Sequence, residues 1–240
     1  RNRCCPMCQA IPKEVWMDAR REDVLDAPYY HLVFTVPDIL NPVILSNQKL
    51  LYDALYHAAS ATISELTADP KYLGAKVGYI CILHTWGSEM NFHPHIHTIL
   101  LGGGLTTENR WKDNGNDFFL PIRVISKVFH GKYLEELKLL WKQEKLQFYG
   151  SSEKYHNRYV FQELLDTCHA MEWVPYCKKT FNGAQSVINY LGKYTHRIAI
   201  SNYRIISMDE KTVTFSVKDY HNEGKRKNLT LSGIEFIRLF

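Results

Sequence analysis

The stretch that decides the fold is His93-Pro94-His95-Ile96-His97-Thr98-Ile99-Leu100-Leu101, which runs directly into Gly102-Gly103-Gly104. Histidine and apolar residues alternate here before a β-branched run, and this pattern predicts a β-strand. Side chains alternate between the two faces of a strand, so we expect His95 and His97 on one face and Ile96 on the other. Two imidazoles held this way on a rigid strand form a pair of ligands for a divalent metal ion.

A third histidine lies on the preceding predicted strand, which spans residues 77–85. Residues 87–92 suit a hairpin connection, and an antiparallel return would bring His84 beside the pair. The result is a three-histidine site with open coordination positions, and Glu89 in the connection is the reserve candidate for the third ligand. Imidazole ligands favour Mn²⁺, whereas Mg²⁺ prefers oxygen, and we expect one of these two ions. The alternative is that the histidines lie at a sheet edge and bind no metal.

A candidate nucleophile lies far downstream, in residues 185–197. Apolar residues at helical spacing predict a helix that carries Tyr190 and Tyr194 on one face, four residues apart. Tyrosine is one of the side chains that form covalent intermediates. Basic residues that would suit a phosphodiester lie beside the pair: Lys193, His196 and Arg197. Aromatic residues four apart also pack in ordinary cores, so the tyrosine pair alone does not indicate a nucleophile. Together with the histidine strand it does.

Together these blocks resemble a known family, the two-tyrosine HUH transposases of rolling-circle insertion sequences of the ninety-one type. The specific parts are His-Pro-His-Ile-His with its trailing glycines and Tyr-Leu-Gly-Lys-Tyr-Thr-His-Arg at residues 190–197. Shorter blocks extend the resemblance over nearly the whole chain, and they begin at Arg1, His84, Trp173, Val217 and Glu235. The resemblance implies an HUH endonuclease fold with an RRM/ferredoxin-like palm. The predicted order of strand, helix, strand and strand agrees with it, since that order fits an α+β antiparallel sheet with flanking helices.

The resemblance also implies a chemistry. The substrate would be single-stranded DNA at transposon ends and targets, cut and rejoined by metal-dependent transesterification through a 5′-phosphotyrosine. Tyr190 and Tyr194 would be the nucleophiles, and His84, His95 and His97 would hold Mg²⁺ or Mn²⁺. A rolling-circle replication initiator or a conjugative relaxase uses the same chemistry and is the alternative function. A non-enzymatic DNA-binding protein with a structural metal is a third reading, but it leaves the paired tyrosines unexplained.

Cys5-Pro-Met-Cys8 near the amino terminus is a Cys-x2-Cys knuckle, half of what a structural zinc site needs. The resemblance implies that the partner ligands precede this point, and Cys4 stands where the family pattern has a histidine. We therefore predict a partial zinc-binding module and linker in residues 1–24. Residues 25–240 would form the catalytic domain with a C-terminal β-rich extension. The sequence favours neither the presence nor the absence of Zn²⁺ at Cys5 and Cys8.

The remaining elements follow from periodicity and turn residues. A central strand is expected over residues 27–37, and His31 within it is predicted to be a packed core histidine. A helix is expected to begin with Ser46 as its N-cap and to end at Asp69-Pro70. Further predictions are a turn-rich segment at 102–115, a strand at 118–123, helices at 126–148 and 158–171, and a strand at 173–178. Strands at 203–208 and 212–218, a loop at 219–228 and a helix from 232 complete the chain.

Composition limits the class of protein. The chain has 240 residues, a net charge of +4 and 45% hydrophobic residues, which suits one domain with appendages and permits DNA binding. Basic residues beside Tyr220 in the predicted 219–228 loop would suit a single-strand groove: Lys225, Arg226 and Lys227. No apolar run approaches a membrane span and no signal peptide opens the chain, so we expect a soluble, cytoplasmic protein. Six cysteines, three of them crowded at residues 4, 5 and 8, do not form the pattern of a secreted disulfide framework, and the three scattered ones fit a reducing compartment.

Overall fold

The computed structural model describes residues 6–87, 89–115, 120–173, 176–181, 184–195, 200, 202–219 and 225–238. The helices are α1 (Pro6–Arg20), α2 (Asn41–Ser46), α3 (Gln48–Ala68), α4 (Ile122–Lys142), α5 (Arg158–Ala170), α6 (Ala184–Thr195) and α7 (Gly233–Arg238). The strands are β1 (Tyr29–Thr35), β2 (Lys76–Trp86), β3 (Phe92–Leu105), β4 (Trp111–Asp113), β5 (Tyr176–Phe181), β6 (Ile205–Met208), β7 (Thr212–Asp219) and β8 (Lys225–Ser232). Within these ranges, no helix is both long and apolar enough to cross a membrane.

The chain divides into two compact units, which we name by what they carry. The sheet unit consists of Asp26–His84 and Pro94–Ala184. The tyrosine unit consists of Arg1–Leu25, Thr85–His93 and Gln185–Phe240. The sheet unit is interrupted only at residues 85–93, whereas the tyrosine unit is assembled from three segments that are distant in the sequence.

The sheet unit has a mixed α+β architecture around an antiparallel sheet. Its strands lie in the order β2-β3-β1-β5, and β4 pairs with the far end of β3. β1 runs antiparallel to both β3 and β5. The chain passes through β1, α3, β2, β3, the helices α4 and α5, and then β5. This strand order and connectivity are those of the ferredoxin-like β-α-β-β-α-β motif, which confirms the predicted fold class.

One face of this sheet is covered by helices. On β1 and β3, Phe34 pairs with Ile96, and the Phe34 ring packs against Phe129 of α4 with centroids 4.9 Å apart. On the same side, the Leu83 backbone N–H of β2 donates to the Tyr56 hydroxyl of α3 at 3.0 Å. Alternation then directs His95 and His97, which flank Ile96, to the opposite face. The predicted separation of the histidines from the apolar layer is confirmed.

The glycine run belongs to β3, so the prediction of a turn-rich segment from residue 102 is wrong over its first part. The strand continues to Leu105, and the glycines are needed because neighbours approach closely. A Cβ on Gly104 would collide with the Lys76 carbonyl of β2, and one on Gly103 would collide with the Trp111 indole of β4. The strand therefore holds its neighbours at positions where only glycine fits.

Helix boundaries differ from the predictions for identifiable reasons. α3 begins at Gln48 instead of at Ser46, because Asn47 interrupts the helix and pairs with Gln147 through two hydrogen bonds of 2.7 Å. The same pairing holds the chain after Lys142 in a non-helical path, so α4 ends there and does not reach residue 148.

Two predicted strands also shift. α4 starts at Ile122 with Pro121 as its N-cap, and Leu120 precedes it without regular structure, so the strand predicted over 118–123 is wrong at residues 120–123. Phe118 and Phe119 lie outside the described residues. The strand predicted at 173–178 is β5, which begins at Tyr176 and ends at Phe181.

The tyrosine unit contains a second antiparallel sheet, in the order β6-β7-β8. Its core holds Met90, Ile200, Val213, Phe215 and Val217. β8 begins within the predicted 219–228 loop, because the alternating apolar residues that follow pair with β7 and extend the strand back to residue 225. α7 begins as predicted after residue 232. The Ser232 hydroxyl accepts the backbone N–H of Glu235, and the Glu235 carboxylate accepts the backbone N–H of Ser232.

Candidate active site

Three histidines converge on the face of the central sheet opposite Phe34 and Ile96. β3 places His95 and His97 on one face, and the neighbouring β2 carries His84 to the same place. One nitrogen from each of the three rings lies within 4.8 Å of the others. The structure therefore brings the three predicted histidines together, and all three lie inside the sheet unit.

The geometry of this group suits a divalent metal ion. The Nε2 atoms of His95 and His97 are 3.1 Å apart, so both nitrogens present themselves to one point. The ring centroid of His97 lies 4.7 Å from that of His84 and 4.9 Å from that of His95. His84 and His97 are 2% and 8% exposed, whereas His95 is half-buried. Three imidazoles form a nitrogen donor set that divalent transition metals accept.

A fourth histidine supports the group, and the sequence analysis did not assign it this position. His31 of β1 is buried as predicted, but its Nε2 lies 2.9 Å from Nδ1 of His97. The two ring planes are 9° from parallel and the centroids are 5.1 Å apart, which together with the short nitrogen–nitrogen distance places the rings side by side in nearly one plane. Burial, and to a lesser degree the charge of His95, lowers the pKa of His31 to about 4, so this imidazole is neutral at physiological pH.

Glu89, the reserve candidate for the third ligand, takes part in a different interaction. Its carboxylate forms an ion pair of 2.7 Å with Nζ of Lys227, and both side chains are exposed. Both residues lie in the tyrosine unit. The residues described by the structure thus join His84, and not Glu89, to the histidine pair.

The tyrosine pair lies on α6, as the apolar spacing predicts. Val187 and Ile188 are buried, Tyr190 is half-buried, and Tyr194 follows one helical turn later on the same face of the backbone. At Gly192, between the two tyrosines, an added Cβ would collide with Met17 of α1. The tyrosine helix therefore packs tightly against the amino-terminal helix within the tyrosine unit.

Several predicted DNA-contacting and zinc-binding residues fall outside the part of the chain that can be described. These are His196, Arg197, Tyr220, Cys4 and Cys5, together with the side chains of Lys193, Tyr194 and Cys8. The backbone of Cys8 lies in α1.

Three basic residues predicted to lie in a loop instead begin the strand β8: Lys225, Arg226 and Lys227. All three are exposed, and Arg226 lies opposite Lys218 of β7. Acidic residues accompany this basic cluster, since Asp219 lies opposite Lys225 and Lys227 forms the ion pair with Glu89.

The fold and the site define a class: a ferredoxin-like α+β protein with a group of three histidines on its central sheet that could hold a metal ion. Comparison with protein families is more specific. Residues 78–240 match the family described as "Putative transposase", and residues 1–36 match the "Transposase zinc-binding domain". The chain belongs to the transposase family that matches over residues 78–240, and its amino-terminal match is to the zinc-binding domain of IS91-type transposases, as the residue pattern predicted.

Similar proteins bear similar names. The chain is 38% identical over its whole length to "Putative transposase y4qJ" of Sinorhizobium fredii (strain NBRC 101917 / NGR234), covering 61% of that protein. It is 29% identical over 98% of its length to "Transposase for insertion sequence element IS801" of Pseudomonas savastanoi pv. phaseolicola, covering 55% of it. The chain thus spans somewhat over half of each relative.

Among solved structures, the chain is similar to conjugative relaxase TrwC in complex with OriT DNA in its metal-free form. The TM-score is 0.37 and the identity 15%, over 71% of this chain and 73% of the relaxase chain. The metal-bound form of that complex gives a TM-score of 0.35 over 71% and 72% of the two chains.

Proposed function

We propose that this chain nicks and rejoins single-stranded DNA and thereby drives rolling-circle-type transposition. The observation that carries the proposal is the three-histidine group on the central sheet, in a chain of the IS91-type transposase family. Such a site with open positions suits a phosphodiester, whose oxygens can complete the coordination of an ion. The substrate would be the single-stranded ends of the transposon and its target.

The reaction we propose is a transesterification. The hydroxyl of Tyr190 or Tyr194 loses its proton to solvent and attacks the scissile phosphorus. The new bond joins the tyrosine oxygen to phosphorus, while the bond from phosphorus to the 3′-oxygen breaks and the 3′-hydroxyl leaves. A divalent ion held by His84, His95 and His97 supplies Lewis-acid chemistry when bound. The covalent 5′-phosphotyrosine conserves the bond energy for rejoining, so the cycle needs no ATP.

Two nucleophiles on one helix face serve strand exchange. One tyrosine can retain the first DNA end while the other cuts a second strand, which is what moving a single strand requires. Tyr190 and Tyr194 meet this requirement because residues four apart lie on the same side of an α-helix. Either tyrosine can be the first to act in this scheme.

We further propose that basic residues hold the DNA: Lys193, His196, Arg197, Lys225, Arg226 and Lys227. Support comes from the exposure of the last three on β8 beside Lys218. Each phosphate contact releases counterions, so binding should weaken as salt rises.

The amino-terminal region belongs to the same proposal. We infer a zinc-binding module and linker in residues 1–24, with Cys5 and Cys8 as two of its ligands, ahead of a catalytic domain in residues 25–240. The family match over residues 1–36 supports it. Metal analysis of the protein and of a Cys5→Ser/Cys8→Ser variant tests it. Zinc should be lost with the cysteines, and equal zinc content in both proteins would contradict the assignment.

The experiment for the main proposal uses labelled single strands from the ends of the insertion sequence, incubated with protein and Mn²⁺. We expect cleaved strands and recombinant strands in which two ends have been joined. A replication initiator or relaxase, the second candidate, would cleave one origin strand and reseal it without joining two element ends. Absence of cleavage in Mn²⁺ and in Mg²⁺ would contradict both.

A further inference from the structure

His31 contacts a proposed metal ligand from the side away from the other ligands. His97 has two ring nitrogens, and each faces a different neighbour. Its Nε2 lies 3.1 Å from Nε2 of His95, on the side where the three rings converge. Its Nδ1 lies 2.9 Å from Nε2 of His31. His97 is thus held between a ligand partner and a buried imidazole.

The chemistry of imidazole fixes the direction of this hydrogen bond once Nε2 of His97 is the ligating atom. A ligating nitrogen needs its lone pair, so the proton of the neutral ring must reside on Nδ1. That Nδ1–H donates, and Nε2 of His31 accepts. His31 then carries its own proton on Nδ1, and only one tautomer of each ring satisfies the contact.

The sheet fixes the position of His31. β1 pairs on both sides, and His31 lies opposite Ile99 of β3 and Lys178 of β5. Val33, two residues along, lies opposite both His97 and Tyr176, which puts His31 diagonal to each. The His31 ring lies edge to edge with the His97 ring, in nearly the same plane, and meets the Tyr176 ring edge-on at 5.5 Å. This ring has little room to turn.

We propose that His31 is a positioning residue for the metal centre, which accepts the Nδ1–H of His97 and so fixes the tautomer and ring orientation that direct Nε2 of His97 to the ion. The inference rests on the proposed function only in taking His97 as a ligand. Partners of this kind commonly hold metal-binding histidines, and losing one weakens metal affinity by about 10–100-fold.

The first test is the affinity of the full chain for Mn²⁺ by titration calorimetry, in wild type, His31→Phe and His31→Gln. Phenylalanine keeps a ring against Tyr176 but accepts no hydrogen bond, so we expect Mn²⁺ to bind about 10–100-fold more weakly. The amide oxygen of glutamine extends about as far as Nε2 and accepts, so affinity should recover to within about 3-fold of wild type. His130→Phe is the matched control, since His130 stacks on Trp173 at 4.6 Å, away from the histidine group. Its Mn²⁺ affinity should not change.

The second test needs no metal and reads the tautomer directly. Nitrogen-15 chemical shifts of His97 in the metal-free protein should show the proton on Nδ1 in wild type and in His31→Gln. In His31→Phe they should show a mixture of tautomers. Thermal melting shows whether each variant is folded. If His31→Phe fails to fold, a folded His31→Gln variant still tests the hydrogen bond.

Three results would overturn the proposal: equal Mn²⁺ affinity in wild type and His31→Phe, no recovery in His31→Gln, or an unchanged tautomer mixture in all three proteins. The proposal would also be overturned if the Co²⁺ spectrum of His31→Gln showed one nitrogen ligand fewer than that of wild type. His31 would then bind the metal directly. Failure of the proposed function has another signature. The His31 effects on Mn²⁺ binding and on the tautomer would then stand while the wild-type protein cleaves no DNA.

Discussion

The sheet unit and the tyrosine unit achieve their geometry in different ways. In the sheet unit, strand alternation alone directs His95 and His97 away from a layer that contains Phe34 and Ile96. In the tyrosine unit, segments from the beginning, middle and end of the chain come together. α6 obtains its packing there from α1, through the close contact between Gly192 and Met17.

The difference matters for the roles that we propose for the two units, metal binding in the sheet unit and nucleophilic attack in the tyrosine unit. Metal ligands must keep their spacing within a few tenths of an ångström, and paired strands over a packed core provide that rigidity. The nucleophiles that we propose would act on two DNA strands in turn, and one helix can carry both tyrosines on the same face. We therefore expect damage to the sheet unit to appear first in metal binding and stability. Damage to the tyrosine unit should appear in DNA chemistry.

The largest expected effect follows removal of the histidine pair. His95→Ala/His97→Ala should reduce cleavage of single-stranded DNA by at least about 10³-fold, because the ion contributes several kcal/mol of transition-state stabilisation. Binding of the same DNA should change little, since phosphate contacts and base stacking dominate it. Cleavage rates in Mn²⁺ and binding isotherms measure the two. His57→Ala, an exposed histidine of α3, is the control and should match wild type. Undiminished cleavage by the double variant would remove the metal assignment.

The next effect concerns the covered face of the sheet. Phe129 is 1% exposed and packs against Phe34 and Trp173, so Phe129→Ala should lower the free energy of unfolding by about 3–5 kcal/mol. Urea denaturation measures it. Tyr159→Ala on α5, where the side chain is 84% exposed, should change it by less than about 0.5 kcal/mol. Metal affinity of the folded Phe129→Ala protein should stay close to wild type. A large loss of affinity would mean that the two faces are not independent.

A smaller effect is expected in the tyrosine unit. Gly192→Leu should force Met17 aside and lower stability by about 1–3 kcal/mol. Gly131→Leu is the matched control in α4, because nothing lies within 4 Å of a Cβ there. That control should be neutral or stabilising by up to about 1 kcal/mol, through better helix propensity. Adding Met17→Ala to Gly192→Leu should restore part of the loss. Equal destabilisation by both leucines would show that α1 does not pack at Gly192.

The smallest effect is a pH dependence. Burial raises the pKa of the Cys168 thiol to about 12, whereas the unfolded thiol ionises near 9. The neutral thiol therefore favours the folded state, and its contribution is complete below pH 9 and lost as pH rises towards 12. Between pH 8 and 10.5, wild type should lose about 1–2 kcal/mol more stability than Cys168→Ala. Urea denaturation across this range measures it, and parallel curves for the two proteins would contradict it.

Local sequence patterns predicted most of the elements that carry the candidate site residues. Alternation in residues 93–97 predicted the shared face of His95 and His97, and helical spacing predicted the helix that carries Tyr190 and Tyr194. The hairpin that joins the two histidine strands predicted the approach of His84. These properties depend on neighbours in sequence, and a single sequence contains them.

What the sequence did not predict depends on contacts between distant residues. His31 lies beside His97 only because Val33 is opposite His97, and that register involves strands more than sixty residues apart. The Gly102–Gly104 run reads as a turn until the close approach of β2 and β4 is known. Asn47 ends one helix and redirects the chain after another through its pairing with Gln147. Packing of this kind has no periodic pattern in the sequence.

The most direct test of the central claim is the covalent intermediate itself. Wild-type protein incubated with Mn²⁺ and a labelled single-stranded element end should form a denaturation-resistant protein–DNA adduct, and mass spectrometry should place it on Tyr190 or Tyr194. Each single change to phenylalanine should leave an adduct on the other tyrosine. Tyr190→Phe/Tyr194→Phe should form none, while its Mn²⁺ affinity and DNA binding remain close to wild type. A covalent adduct in that double variant would contradict the account, because the nucleophile would then lie elsewhere.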